Sequence, residues 1–235
     1  MKQGSAKTSQ YSRKVSSSTS EEITMKRSEL LELVKKDLKI EIRSKAGLNN
    51  AILFALTTAF LFSLSIDAKT FFAPILVLVT LFSSILACSA TVTREFELET
   101  IEALKASLSA QEIITSKIIS NFLIVVSLVS IIAPICYALF NLEGNFFLLL
   151  TSLAIVAFPI SSAVTLLSPI SAFAKGKEAF LAVMLFPIIF PLILPGIKLL
   201  NLAHNGVFDF FSALFLLLYA GVVTTLAQLV SDHLL

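Results

Sequence analysis

Tryptophan is missing altogether, and histidine and cysteine occur only twice each in 235 residues. No tryptophan-rich motif of any kind is therefore possible. The cysteines, Cys88 and Cys136, lie inside apolar runs in neither CxxC nor Cys/His spacing, which supports no disulfide framework and no zinc site. Charge is scarce: 14% of residues, against about 25% in an ordinary soluble domain. The 18 basic and 16 acidic residues nearly cancel, so there is no global basic signal for nucleic acid. Glycine and proline number 7 each, too few for a collagen-like or low-complexity chain. What is abundant is apolar: 56% of residues, with mean hydropathy +0.90. This composition points to a membrane protein.

Residues 1–24 are rich in Ser, Thr and Lys, carry no acid before Glu21 and contain no apolar run. They are not a secretory signal peptide, although an acid-poor, Ser-rich start also fits an organellar transit peptide. They read as a disordered tail that buries too little apolar area to offset its ordering entropy. Met25, followed by Lys26 and Arg27, is a second possible start. From 25 to 45 the spacing predicts an amphipathic helix, with Leu30, Leu31, Val34, Leu38 and Ile42 on one face. Lys35, Lys36, Asp37, Lys39, Arg43 and Lys45 occupy much of the rest, which suits a helix on the membrane interface beside anionic headgroups.

Six apolar stretches follow, at 48–66, 71–93, 117–140, 146–173, 179–199 and 207–230. Each approaches the roughly 20 residues needed to cross the bilayer core. Period-2 alternation is absent, so a barrel is not supported, and backbone satisfaction in lipid demands helices. The expected fold is all-α: a polytopic membrane protein of six spans behind an N-terminal interfacial helix, in one domain over 25–235. The fourth stretch is over-long and holds Pro159 and Pro169, so a kink or an early end is expected there. If the spans alternate, twelve Lys and Arg residues between Lys26 and Lys177 fall on one side, and only Lys69 and Lys198 on the other. The basic side is expected to be cytoplasmic, with both termini inside.

Catalytic chemistry is hard to find. Lys117, Lys198 and Asp209 sit at span edges, and the spans carry no inner carboxylate or histidine of the kind that couples ion transport. His204 and His233 form no HExxH, and Gly176-Lys177 has Ser171 where a phosphate loop needs glycine. The expectation is no catalytic, cofactor or metal residue in this chain, and no ATP hydrolysis by it alone. The serines of the fourth stretch (Ser152, Ser161, Ser162, Ser168, Ser171) have no His/Asp partner and read as close-packing and interhelical bonding residues.

Two segments stand out. Between the second and third stretches lies Arg94-Glu95-Phe96-Glu97-Leu98-Glu99-Thr100-Ile101-Glu102-Ala103-Leu104, with Leu98, Ile101, Leu104 and Leu108 at near-helical spacing and acids opposite. It reads as an ordinary connecting loop or as a short docking helix for a groove on a partner. Ser109-Ala-Gln-Glu112 then forms a capping box, with Leu108 and Ile113 as its staple, so a helix should start there. In the fifth stretch Pro187, Pro191 and Pro195 recur every four residues before Gly196. Each removes a backbone hydrogen bond, so a bend or break is expected. Either the helix is merely kinked, or it lines a pathway or forms a re-entrant hairpin.

The 36–45 segment ahead of Leu53-Phe54, the run Arg94-Glu95…Glu97…Ile101-Glu102…Leu104…Ser107…Lys117, and Leu185-Phe186-Pro187…Pro191-Leu192-Ile193…Gly196 together resemble the CcmB family, the haem exporter protein B permeases of cytochrome c maturation. The loop pattern alone is shared with the wider ABC-2 permease class. The chain departs from the family pattern at Glu99 (usually glycine), Leu108 (usually proline) and the additional Pro195. The resemblance implies a six-helix permease, two copies per complex, paired with a separate CcmA-type ATP-binding cassette subunit that binds the ATP. It also implies CcmC- and CcmE-like haem-handling partners and a multi-pass place in the inner membrane. The implied activity is ATP-driven release of the haem-loaded chaperone. With no tryptophan, the chain carries no Trp-rich haem-handling motif. His204 is the one external histidine, weighed as a haem-related ligand against a solvated loop residue. Two rivals remain at this level: an ABC-2 exporter of lipid, drug or polysaccharide, and a scaffold that only anchors a cassette protein.

Overall fold

The computed structural model describes residues 30–41, 43, 46–65, 67–97, 109–172, 174 and 176–234. Helix makes up 89% and no strand occurs among the described residues. A first helix, α1 (30–41), is followed by α2 (Ala46–Ser65), α3 (Phe72–Glu97), α4 (Ala110–Leu139), α5 (Phe146–Ala172), α6 (Lys177–His204) and α7 (Phe210–Leu234). Five of these are long and apolar enough to cross a membrane, and α3 holds a shorter apolar stretch, Phe72–Cys88. The chain is thus a polytopic helical membrane protein.

α5 sits at the centre, packed against α3, α4, α6 and α7. Of its most apolar window 61% is buried, against 22% for α2 at the edge. The reason is side-chain size. Ser152, Ala157, Ser161, Ala163, Ser168 and Ser171 are all buried, and small residues let several neighbours approach one helix at once. α2 uses the same device on one face only: Ala51, Ala55 and Ala59, four residues apart, are fully buried. They bring it against α3, where the Ser83 hydroxyl donates to the Ala51 carbonyl (3.4 Å).

Of the alternatives left open for the prolines, the early end and the break are ruled out. α5 runs through Pro159 and Pro169 without ending early, and α6 runs unbroken through Pro187, Pro191 and Pro195, with no re-entrant hairpin. Each proline forfeits one backbone bond, whereas a helix break inside lipid would expose about four amides and four carbonyls. In hydrocarbon each unsatisfied group costs several kcal/mol, so continuity wins.

Hydroxyls inside the spans mostly donate back to their own helix: Ser84 to Thr80 O (2.6 Å), Thr165 to Ser161 O (2.8 Å) and Ser168 to Val164 O (2.6 Å). A few polar bonds cross between helices, notably Asn121 Nδ2 to Thr165 Oγ1 (2.8 Å) and Gln228 Nε2 to Thr115 Oγ1 (3.1 Å).

At one end of the bundle three turns are knitted together. Asn145 N–H donates to His204 O (2.9 Å), Lys69 pairs with Glu143 (3.3 Å) and Lys198 pairs with Asp209 (2.9 Å). At the other end lie α1, the end of α3 and start of α4, and the end of α5 and start of α6.

Candidate functional site

The chemistry gathers at the end that carries α1. α4 opens as the capping box requires. Ser109 sits in extended geometry (φ −70°, ψ 151°), its hydroxyl oxygen accepts the Glu112 N–H (3.4 Å), and Glu112 Oε2 accepts the Ser109 N–H (2.9 Å). Two turns on, Lys117 turns inward. Its ammonium lies 3.0 Å from Asp37 Oδ2, and the two side chains are 5% and 3% exposed. The Ser120 hydroxyl, which bonds its own helix at Ser116 O (2.8 Å), also donates to Asp37 Oδ2 (3.4 Å). One turn after Asp37, Glu41 is fully buried. Its carboxyl lies where α1, α2 and α3 meet: a Cβ on Gly47 would sit 2.7 Å from Glu41 Oε1 and 3.3 Å from the carbonyls of Leu86 and Ala87. A side chain there would require the Glu41 carboxyl to move and the two carbonyls to give by a few tenths of an ångström.

This corrects the interfacial reading of Asp37. Arg43, Lys35 and Lys39 are exposed and Lys36 is half-exposed, as an interfacial helix demands, but Asp37 points into the bundle. Leu31 and Ile40 are exposed instead, while Leu33 and Val34 are buried. Glu41 was missed by the sequence reading, although the signal was there: Val34, Asp37, Leu38 and Glu41 follow the three-and-four spacing of one face. Buried carboxylates therefore do occur in this protein, supplied by α1 rather than by a span.

The residues expected to dock on a partner lie only partly among the described ones. Arg94, Glu95 and Glu97 lie in the last turn of the α3 backbone. Glu99, Ile101, Glu102 and Leu104 lie outside the described residues. Two of the three prolines of α6 face away from the bundle, and Pro195 is half-buried. Pro187 and Pro191 are exposed in one stripe with Phe186, Phe190 and Leu194, whereas Gly196 is buried on the opposite side, near Val156 and Val77. A pathway between α6 and its own bundle is therefore not lined by them. His204 is neither a solvated loop residue nor an open ligand. It ends α6, its ring packs at a tilt against Phe72 (centroids 4.8 Å, planes 52° apart), and its Nδ1 is buried without a hydrogen-bond partner. A Cβ on Gly144 would lie 2.1 Å from the His204 carbonyl oxygen.

Outside the spans, two aspartates are tuned by their turns. The Ser212 hydroxyl, and then Lys198, hold Asp209 below the ordinary aspartate range. The Thr70 hydroxyl does the same for Asp67 at 2.6 Å. No cluster of three or more His, Cys, Asp or Glu able to hold a metal occurs among the described residues.

A bundle of long apolar helices, gathered on a small-residue central span and carrying its buried charge at one end, defines a membrane protein of the permease type. The family model for CcmB protein matches residues 28–231, and the chain belongs to that family. No curated protein matches the chain.

Proposed function

We propose that the chain is the membrane-spanning permease subunit of an ATP-driven transporter complex for cytochrome c biogenesis. The carrying observation is the family match, which spans α1 to α7. ATP is bound and hydrolysed in a separate CcmA-type cassette subunit, and two permease chains serve each complex. CcmC- and CcmE-like proteins handle the haem, and the complex drives release of the haem-loaded chaperone.

In this reading the α1 end is cytoplasmic, with both termini inside an inner membrane. The basic side chains support it: Lys35, Lys36, Lys39 and Arg43 of α1 lie at that end, and Lys69 and Lys198 at the other. The segment from Arg94 to Leu104 docks on the cassette, with Glu97, Glu99 and Glu102 as its charged contacts. ATP-driven closure of the cassettes pushes this segment, and the packing of α3, α4 and the proline-bearing α6 responds.

Purification of the intact chain from mild detergent, with an ATPase assay and a haem spectrum of the eluate, tests the proposal. It expects a cassette ATPase together with CcmC-like partners. A cassette without them would favour an ABC-2 exporter of another cargo. A chain that binds a cassette without stimulating it would be a scaffold.

A further inference from the structure

Asp37 and Lys117 stand apart from everything else in the bundle. They are an ion pair at 3.0 Å, both side chains at least 95% buried, formed between residues 80 positions apart. Removing two charges from water is expensive, and a well-packed apolar pair at the same place is often as stable or more so. Stability alone is therefore a weak reason for such a pair. Its distinguishing property is direction. An ion pair with a further hydroxyl bond fixes one rotation and one register between two helices, whereas an apolar contact tolerates sliding.

The elements that it fixes are specific. Lys117 lies seven residues into α4, about 10 Å along the helix from its start. Glu41, on the same face of α1 as Asp37, is buried beside Gly47 of α2, where an added Cβ would lie 2.7 Å from Glu41 Oε1 and 3.3 Å from the carbonyls of Leu86 and Ala87 of α3. α3 leads into the 98–108 segment and α4 leads out of it. One short helix is thus bonded through Asp37 to the root of that segment in α4, while its second carboxylate, Glu41, lies one turn on, beside the contact of α2 with α3.

We propose that Asp37 and Lys117 are positioning residues for coupling. Through them α1 holds the first turns of α4 in register, so that displacement of the segment that α4 leads out of is passed into α4 and α1 together. The proposal rests on the reading of residues 94–104 as the cassette-docking segment. It adds what that reading lacks, a rigid connection between the docking segment and the spans.

The test uses the full chain assembled with its cassette ATPase in lipid nanodiscs. It compares wild type, D37N, the charge swap D37K/K117D and the apolar pair D37L/K117M. Three quantities are read: melting temperature, cassette affinity, and the permease-dependent stimulation of ATP turnover over the basal rate of the cassette. D37N is expected to keep cassette affinity within about twofold while stimulation falls about tenfold, an ordinary size for coupling between sites. The charge swap is expected to recover much of the stimulation. Should D37N fail to accumulate, D37L/K117M carries the test, since apolar replacement keeps α1 packed; normal melting with lost stimulation is expected. Wild-type stimulation in D37N or in D37L/K117M overturns the proposal. If the wild-type chain binds no cassette, the docking reading falls and this proposal falls with it. Loss of stimulation in D37N with full cassette affinity separates the two.

Discussion

At the scale of single residues, the largest stakes lie where a polar group or a backbone has been brought into a tight place. Removing one member of the Asp37–Lys117 pair leaves a charge buried without its counterion, which costs about 3–5 kcal/mol. Asp37→Asn is therefore expected to lower the melting temperature in detergent more than Asp37→Leu/Lys117→Met does. The reverse order would mean that the pair is solvated rather than buried. Gly144→Ala is the other sharp case. Its Cβ would meet the backbone carbonyl oxygen of His204 at 2.1 Å, and a backbone cannot swing aside as a side-chain tip can. Overpacking of this kind costs about 1–3 kcal/mol, to be read as a fall in melting temperature. An unchanged melting temperature would show that the turns at that end shift freely.

At the scale of elements, α4 owes its start to two residues. Ser109→Ala removes the oxygen that caps the Glu112 N–H and is expected to cost about 1 kcal/mol. The measurement is hydrogen exchange over the first turn, where protection should drop while the middle of α4 stays protected. Equal protection in both variants would assign the helix start to packing alone. The α6–α7 turn depends on Asp209, whose carboxyl is held low by Ser212 and Lys198. A lowered folded value means that its contribution is present above the ordinary aspartate range and is lost as pH falls through the lowered value. The turn should thus stay protected through neutral and mildly acidic pH and loosen only in stronger acid. Ser212→Ala should move that loosening to higher pH, as hydrogen exchange across residues 205–213 would show.

The same scale shows what was legible in the sequence. Hydropathy reports depth in a membrane, so the apolar stretches and the long helices coincide closely: 146–173 against Phe146–Ala172, for example. The capping box is local chemistry and was equally readable. Azimuth is different. When nearly every face of a helix is apolar, the inward face is chosen by the size and shape of neighbours, which one chain's pattern does not carry. Hence the proline stripe of α6 read equally as a kinked packing helix or as a pathway lining, and Pro187 and Pro191 face outward while Pro195 is half-buried. Hence, too, Asp37 was assigned to the interface when its partner, Lys117, lies 80 residues on. His204 was misjudged for a similar reason, since the glycine that makes room for its ring belongs to another loop.

For the whole molecule, the two ends of the bundle are built for different tasks. The end with Lys69, Glu143, Lys198 and Asp209 is tied by exposed or half-exposed ion pairs and turn bonds, each worth little alone. The end with α1 is tied by buried charge, which is costly and directional. An asymmetry of this kind suits a protein driven from one side. In the proposed reading, force enters at the α1 end and the packed centre around α5 carries it across.

The most direct measurement is ATP turnover by the cassette ATPase in nanodiscs, with and without this chain, for wild type and for the triple variant Glu97→Lys/Glu99→Lys/Glu102→Lys. The account predicts that the wild-type chain binds the cassette and stimulates turnover, and that the triple variant loses both while its own melting temperature is unchanged. Equal binding and stimulation by the wild type and the triple variant would contradict it.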